Sequence, residues 1–142
     1  RTPILVVVIG EGGSGGALAL GVGDRVMMQE NACYSVITPE GCAAILYGER
    51  TPERAAWAAE ALKITAADLL ALKVTDAIIP EPLGGAHRHP EEAVTLVGDV
   101  IAQHLDELVR IPLDELLVQR YAKFRRMGEA AIVDPGSTAV SL

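Results

Sequence analysis

Ile4-Leu5-Val6-Val7-Val8-Ile9-Gly10-Glu11-Gly12-Gly13-Ser14-Gly15-Gly16 is the stretch on which the fold turns. Its first six residues are apolar, mostly β-branched and without polar alternation. Such a run reads as a strand buried on both faces, the pattern of a parallel sheet. A strand of that kind needs neighbours on either side. The glycines that follow continue to Gly23, seven in all from Gly10 onward. Ordinary turns need one or two, so a loop with this many points to close backbone approach by a ligand. Gly16-Ala17-Leu18-Ala19-Leu20 then reads as a short buried helix opening from the loop.

Working outward, Arg25-Val26-Met27-Met28 and Tyr34-Ser35-Val36-Ile37 read as short strands. Thr38-Pro39-Glu40 and Thr51-Pro52-Glu53 are helix starts: a hydroxyl cap, proline at the first helical position, and a carboxylate at the positive end. Thr65 caps a short helix over 66–72. Val74 to Ile79 reads as a strand, and Glu81 to Pro90 as a loop. Ala93, Leu96, Val97, Val100, Ile101, His104, Leu105 and Leu108 follow helical spacing. Pro112 opens a last helix, which Gly128 stops. Residues 130–142 have no period and read as a frayed tail. No internal repeat is visible. Few strands among many helices predict an α/β fold with parallel strands.

Composition narrows the function. The net charge is −7, which disfavours nucleic acid as a partner. No apolar run reaches the roughly 20 residues of a membrane span, and the start carries no signal peptide. Cys33 and Cys42 are too few for a disulfide framework or a closed zinc site, so they read as thiols and no metal is expected.

Three chemistries fit the glycine loop. Gly10-Glu11-Gly12-Gly13-Ser14-Gly15 matches G-x-G-x-x-G, with Glu30 where a ribose-binding acid would stand in an NAD(P)-dependent oxidoreductase. Gly21 and Gly23 leave its helix short for that role. Gly12-Gly13-Ser14-Gly15-Gly16 matches G-x-S-x-G, the nucleophile elbow, with Asp76 and then His87, His89 or His104 as partners. A Walker A loop is excluded by Ala17. The third chemistry needs only backbone: Gly15 and Gly16 N–H groups at a helix start aim at developing negative charge, as in an oxyanion hole.

Three blocks carry a resemblance. Val8 to Ala19, Tyr34-Ser35-Val36-Ile37-Thr38-Pro39-Glu40-Gly41-Cys42-Ala43, and Ile78-Ile79-Pro80-Glu81-Pro82-Leu83-Gly84-Gly85-Ala86-His87-Arg88 resemble the carboxyltransferase α subunit of multi-subunit acetyl-CoA carboxylase. The blocks stand in that family's order. The resemblance implies a crotonase-like spiral of ββα units and a longer subunit, of which this chain is the C-terminal part. It implies a carboxyltransferase portion over 1–110, then a helix and tail over 111–142. It further implies carboxyl transfer from carboxybiotin, borne on a biotin carboxyl carrier protein, to acetyl-CoA, giving malonyl-CoA for fatty acid biosynthesis. A propionyl-CoA acceptor shares this chemistry. The implied partner is a carboxyltransferase β subunit, in a heterotetramer of the cytoplasm or plastid stroma, with the zinc ribbon on the β side.

Under that resemblance Gly15 and Gly16 are the catalytic backbone donors, and Gly12, Gly13, Ser14 and Gly41 line the biotin side. Leu18 stands where crotonase-type hydratases carry a catalytic acid, so hydration is excluded. Glu40 lies near a second acid position and is expected to orient substrate. A silent crotonase-fold interaction module is the non-enzyme alternative. The remaining candidates are His87 and His89 in their loop, the basic run Arg120, Lys123, Arg125 and Arg126 as a partner contact, and Trp57 as a packing residue.

Overall fold

The computed structural model describes residues 1–128, so the tail expected over 130–142 lies outside the described residues. Two small parallel sheets organise the rest. The larger has the order β1-β3-β5, made of β1 (Leu5–Val8), β3 (Arg25–Gln29) and β5 (Ala77–Ile79). The smaller pairs β2 (Glu11–Gly13) with β4 (Cys33–Ser35). The helices are α1 (Ser14–Leu20), α2 (Pro39–Tyr47), α3 (Pro52–Leu62), α4 (Ala66–Ala71), α5 (Pro90–Leu108) and α6 (Leu113–Arg126). The α/β class expected from the sequence is present.

The chain therefore runs β1-β2-α1 and then β3-β4-α2. Leu5 pairs with Arg25 and Glu11 with Cys33, both in parallel register. Two ββα units are thus stacked on each other, although their residues show no sequence repeat. The strand β2 is absent from the sequence reading, because Glu-Gly-Gly has almost no strand propensity of its own. Pairing with β4 creates it.

Side-chain alternation sets what each face meets. Gly12 sits opposite Tyr34 in the β2–β4 ladder. A Cβ at Gly12 would lie 2.8 Å from the Tyr34 ring, so only glycine fits there. Tyr34 joins Val8, Met28, Ala32, Ala66 and Leu69 in the core, and burial raises its pKa. Its hydroxyl donates to the Ala17 carbonyl at 3.2 Å and holds α1 against β2 and β4. Gly21 ends α1 under the same hydroxyl, 2.2 Å from where a Cβ would be.

Several expectations change. The first strand covers Leu5–Val8 and is not buried on both faces: Leu5 to Val7 are half-buried, because β1 is an edge strand next to β3 alone. The helix α1 begins at Ser14 and is exposed, with only Ala17 packed on the core. The strand read at 34–37 is Cys33–Ser35, and the one read at 74–79 is Ala77–Ile79. The caps fall where the sequence puts them. Thr38, Thr51 and Thr65 accept from the N–H groups of Gly41, Arg54 and Asp68. Trp57, read from the sequence as a packing or interface residue, packs edge-on against Tyr47 with ring centroids 5.4 Å apart and stays 43% exposed.

The basic run on α6 is half inward. Arg120 Nε donates to Asp24 Oδ1 at 2.8 Å and its Nη2 to Oδ2 at 2.6 Å, while Nη2 also reaches the Thr2 carbonyl. The Asp24 side chain is 2% exposed and also accepts from the Ile4 N–H. Lys123 pairs with Asp76, which accepts from the Val26 N–H. Both carboxylates thus tie α6 to the sheet. This corrects the reading of Arg120 and Lys123 as partner contacts; Arg125 and Arg126 remain exposed.

A second carboxylate clamp holds the loop after β5. Glu81 accepts from the N–H of Asn31 and the N–H of Ala86, each at 3.1 Å. Its own N–H donates to Glu30 at 3.3 Å. The left-handed φ of Gly84 (93°) and Gly85 (94°) lets the chain wrap around that carboxylate. The Ala86 N–H is the main cause that lowers the Glu81 pKa; partial burial opposes it, while Asn31 and the field of His87 add to it.

Two measurements check these ties. Removing Arg120 leaves the Asp24 carboxylate buried and unpaired, so Arg120→Ala costs about 3 kcal/mol of stability. Urea unfolding measures it, and a loss below 1 kcal/mol contradicts the clamp. For Glu81, a lowered folded pKa means stabilisation that is present above the ordinary carboxylate pKa. It disappears as pH falls through the lowered value. Hydrogen exchange at Asn31 and Ala86 then gains an extra opening step only below about pH 4. Glu81→Gln abolishes that acid step, and a step between pH 5 and 8 contradicts the assignment.

Candidate functional site

The alternation that turns Gly12 and Tyr34 toward the core turns Glu11, Gly13, Cys33 and Ser35 the other way. These residues floor a cleft of about 260 Å³. Its remaining wall is Ile37, Thr38, Pro39, Glu40 and Ile64. The N-terminus of α2 is aimed at this cleft because Pro39 and the Thr38 cap start the helix there. The Gly41 N–H donates to Thr38 Oγ1 at 3.1 Å, and a Cβ on Gly41 would meet Ile37 at 3.0 Å. Gly41 therefore supports the turn from behind the lining, and Glu40 stands at the cleft.

From Gly13 the chain passes straight into α1. Gly13 is the N-cap and gives no side-chain cap, in contrast to the three threonine-capped helices. Ser14 has a left-handed φ of 65°, an uncommon state for a residue with a Cβ. That turn carries the chain from the cleft floor at Gly13 into α1, whose first residues Ser14, Gly15 and Gly16 are exposed. Nothing lies within 4 Å of a Cβ built at Gly13 or Gly15, and at Gly16 only Ser14 Oγ does, at 3.8 Å. Packing therefore does not require glycine at these three positions, in contrast to Gly12 and Gly21. Ser14 Oγ lies 3.4 Å from the Gly16 N–H, a long contact that a better acceptor would displace.

The structure brings Gly12, Gly13 and Glu40 together around one cleft, with Ser14, Gly15 and Gly16 continuing from its edge. Backbone N–H groups at a helix start are, as a class, able to stabilise a developing oxyanion without a side-chain base. Glu11, Cys33 and Ser35 line the same cleft and are absent from the sequence candidates. Their signal is the two-residue spacing on β4 and on β2, which becomes readable once Glu11–Gly13 is known to be a strand.

The other two readings of the loop lose their side chains. Asp76 is committed to Lys123 and Val26, and no histidine bonds to it, so no Ser-Asp-His set is built on Ser14. His104 sits on α5 near Glu107 with its Nδ1 buried and unpartnered, and His89 is the N-cap of α5. Glu30 faces the loop after β5 through its contact with the Glu81 N–H, away from a dinucleotide ribose. Cys33 and Cys42 are free thiols, and no group of three metal-ligating side chains occurs among the described residues. None of the helices in the described residues is long and apolar enough to cross a membrane.

Comparison with known proteins identifies the family of the chain. The family described as acetyl co-enzyme A carboxylase carboxyltransferase-like matches residues 1–128. Similar curated proteins carry the name acetyl-coenzyme A carboxylase carboxyl transferase subunit alpha. The one from Gluconacetobacter diazotrophicus is 57% identical over 130 residues, covering 92% of this chain and 40% of that protein. Those from Sphingopyxis alaskensis and Thermus thermophilus are 56% and 52% identical, over 90% and 92% of this chain. The chain spans about 40% of the length of these relatives. The match over residues 1–128 and these identities place the chain in the acetyl-CoA carboxylase carboxyltransferase family.

Proposed function

We propose that this chain is part of a carboxyltransferase α subunit that moves the carboxyl group of carboxybiotin to acetyl-CoA, forming malonyl-CoA. The observations that carry the proposal are the glycine N-cap of α1, which offers no side-chain cap, and the run of glycines that leads from the cleft floor at Gly13 into that helix. Two stacked ββα units support a crotonase-like spiral as its frame. Residues 1–110 belong to the carboxyltransferase unit, and α6 follows it.

The biotin group supplies a transferable carboxyl when its carrier protein delivers it. The protein's part is to bind and orient anionic oxygens. Gly15 and Gly16 donate their backbone N–H groups, and the missing Cβ atoms allow contact distance. Gly12 and Gly13 shape the floor, Ser14 turns the chain into α1, and Gly41 fixes the α2 turn that presents Glu40. The Glu40 carboxylate, at the positive end of α2, orients a polar N–H or O–H of the substrate. Leu18 lies on α1 without any proton to give, consistent with a site that has no hydratase acid. Acetyl-CoA, the β subunit and the biotin carboxyl carrier protein complete the system, as a heterotetramer of the cytoplasm or plastid stroma.

The test uses the full α subunit assembled with its β partner and follows malonyl-CoA formation. A Cβ at Gly15 meets nothing within 4 Å, and circular dichroism checks that Gly15→Val folds. The substitution blocks approach to the N–H edge, and the expected loss is about 10²–10³ in rate. Gly16→Val behaves alike. Ser14→Ala keeps substantial activity, because no acyl-serine forms, and Glu30→Gln is close to wild type. An inactive Ser14→Ala beside an active, folded Gly15→Val overturns the proposal.

A further inference from the structure

A cleft of about 470 Å³ lies where the end of α6 meets the turn between α4 and β5. It shares no lining residue with the glycine-edged cleft. Lys73, Lys123 and Arg126 bring three cations to its wall, against the single carboxylate of Asp76. That carboxylate is already committed to Lys123 and to the Val26 N–H. Among the described residues, Lys73 and Arg126 pair with no carboxylate. In a chain of net charge −7, a cleft with an excess of cations concentrates anions locally.

The turn after α4 carries two of these groups in fixed positions. The N–H groups of Lys73 and Val74 close the helix on the Leu70 and Leu69 carbonyls. Glycine is the usual residue where a helix ends this way, yet lysine takes the left-handed φ of 58° here. Two residues on, Thr75 lies in the same wall and is only 2% exposed. Its hydroxyl is a buried polar group with no hydrogen-bond partner among the described residues. An unpartnered buried hydroxyl opposes folding, so a partner from outside the described chain accounts for it. Leu70, Leu72 and Met127 give the rest of the wall an apolar stretch. Clefts of this size, apolar with a few convergent polar groups, are the usual form of small-molecule sites.

We propose that this cleft binds a phosphate dianion, carried as the monoester of a small apolar molecule. The two uncommitted cations match the charge of a phosphate monoester, about −1.5 to −2 near pH 7. Its three free oxygens each accept one donor: Lys73, Arg126, and the Thr75 hydroxyl, turned about χ1 toward the cleft. A carboxylate brings one charge and two oxygens, and leaves one of these donors unmet. The apolar body of the ester lies against Leu70, Leu72 and Met127. The proposal goes beyond the carboxyltransferase reading and does not depend on it.

The experiment titrates the natural full-length polypeptide, in its complex and at fixed ionic strength, with phenyl phosphate, inorganic phosphate and benzoate. Calorimetry follows binding. Phenyl phosphate binds saturably and most tightly of the three. Lys73 and Arg126 are exposed, so Lys73→Ala and Arg126→Ala leave the fold intact. Each weakens phenyl phosphate roughly tenfold, the worth of one hydrogen bond to a charged group. Thr75→Val weakens it by a similar factor and raises Tm in the absence of ligand, because it removes an unpartnered hydroxyl. A lowered Tm for Thr75→Val overturns the proposal, since the rest of the polypeptide or a partner then satisfies that hydroxyl. Benzoate binding as tightly as phenyl phosphate also overturns it, leaving only attraction between bare charges. Equal affinity for inorganic phosphate overturns the monoester. Phenyl phosphate that does not saturate, or that ignores both alanine variants, reduces the cleft to a solvated basic face.

Discussion

The close approach of two backbone segments to the Tyr34 ring governs this structure. Gly12 and Gly21 flank that ring where no Cβ fits, and the hydroxyl fastens α1 through Ala17. Tyr34 thereby fixes β2 against β4 and sets where α1 begins. Because side chains alternate along the paired strands, the same register turns Gly13 and Ser35 outward as the cleft floor. Core packing and site geometry are two faces of one ladder. A side chain at Gly12 would disturb both at once.

The tertiary ties that surround this ladder are carboxylates, each joining elements distant in sequence. Asp24 joins the starts of β1 and β3 to α6; Asp76 joins β3 to α6; Glu81 joins the turn after β3 to the loop after β5. In all three cases the carboxylate accepts a backbone N–H. Such groups lock loops and helix to a small sheet that has limited apolar area to bury.

Much of this was legible in the sequence because it is local. Threonine caps followed by proline or an acidic first turn mark α2, α3 and α4, and helical spacing marks α5. The three motif blocks carry the family. What escaped is non-local. The strand Glu11–Gly13 exists only through β4, and the exposure of α1 follows from having little but Tyr34 and Ala17 to pack with. Arg120 finds Asp24 across 96 positions, so a run of cations on one helix could not reveal which of them turn inward. Gly12, Gly13 and Glu40, named separately from the sequence, line one cleft, while the side chains of Glu11, Cys33 and Ser35 became visible only with the ladder register.

The central claim is that the glycine edge works through its own N–H groups. Backbone amide spectra of the assembled carboxyltransferase, labelled with ¹⁵N-glycine, test it most directly when biotin methyl ester is titrated in as a ureido-bearing probe. The account predicts downfield proton shifts at Gly15 and Gly16, of the kind a new acceptor produces, with the Ser14 contact to Gly16 released. Saturable probe binding that leaves both amides unmoved would contradict it.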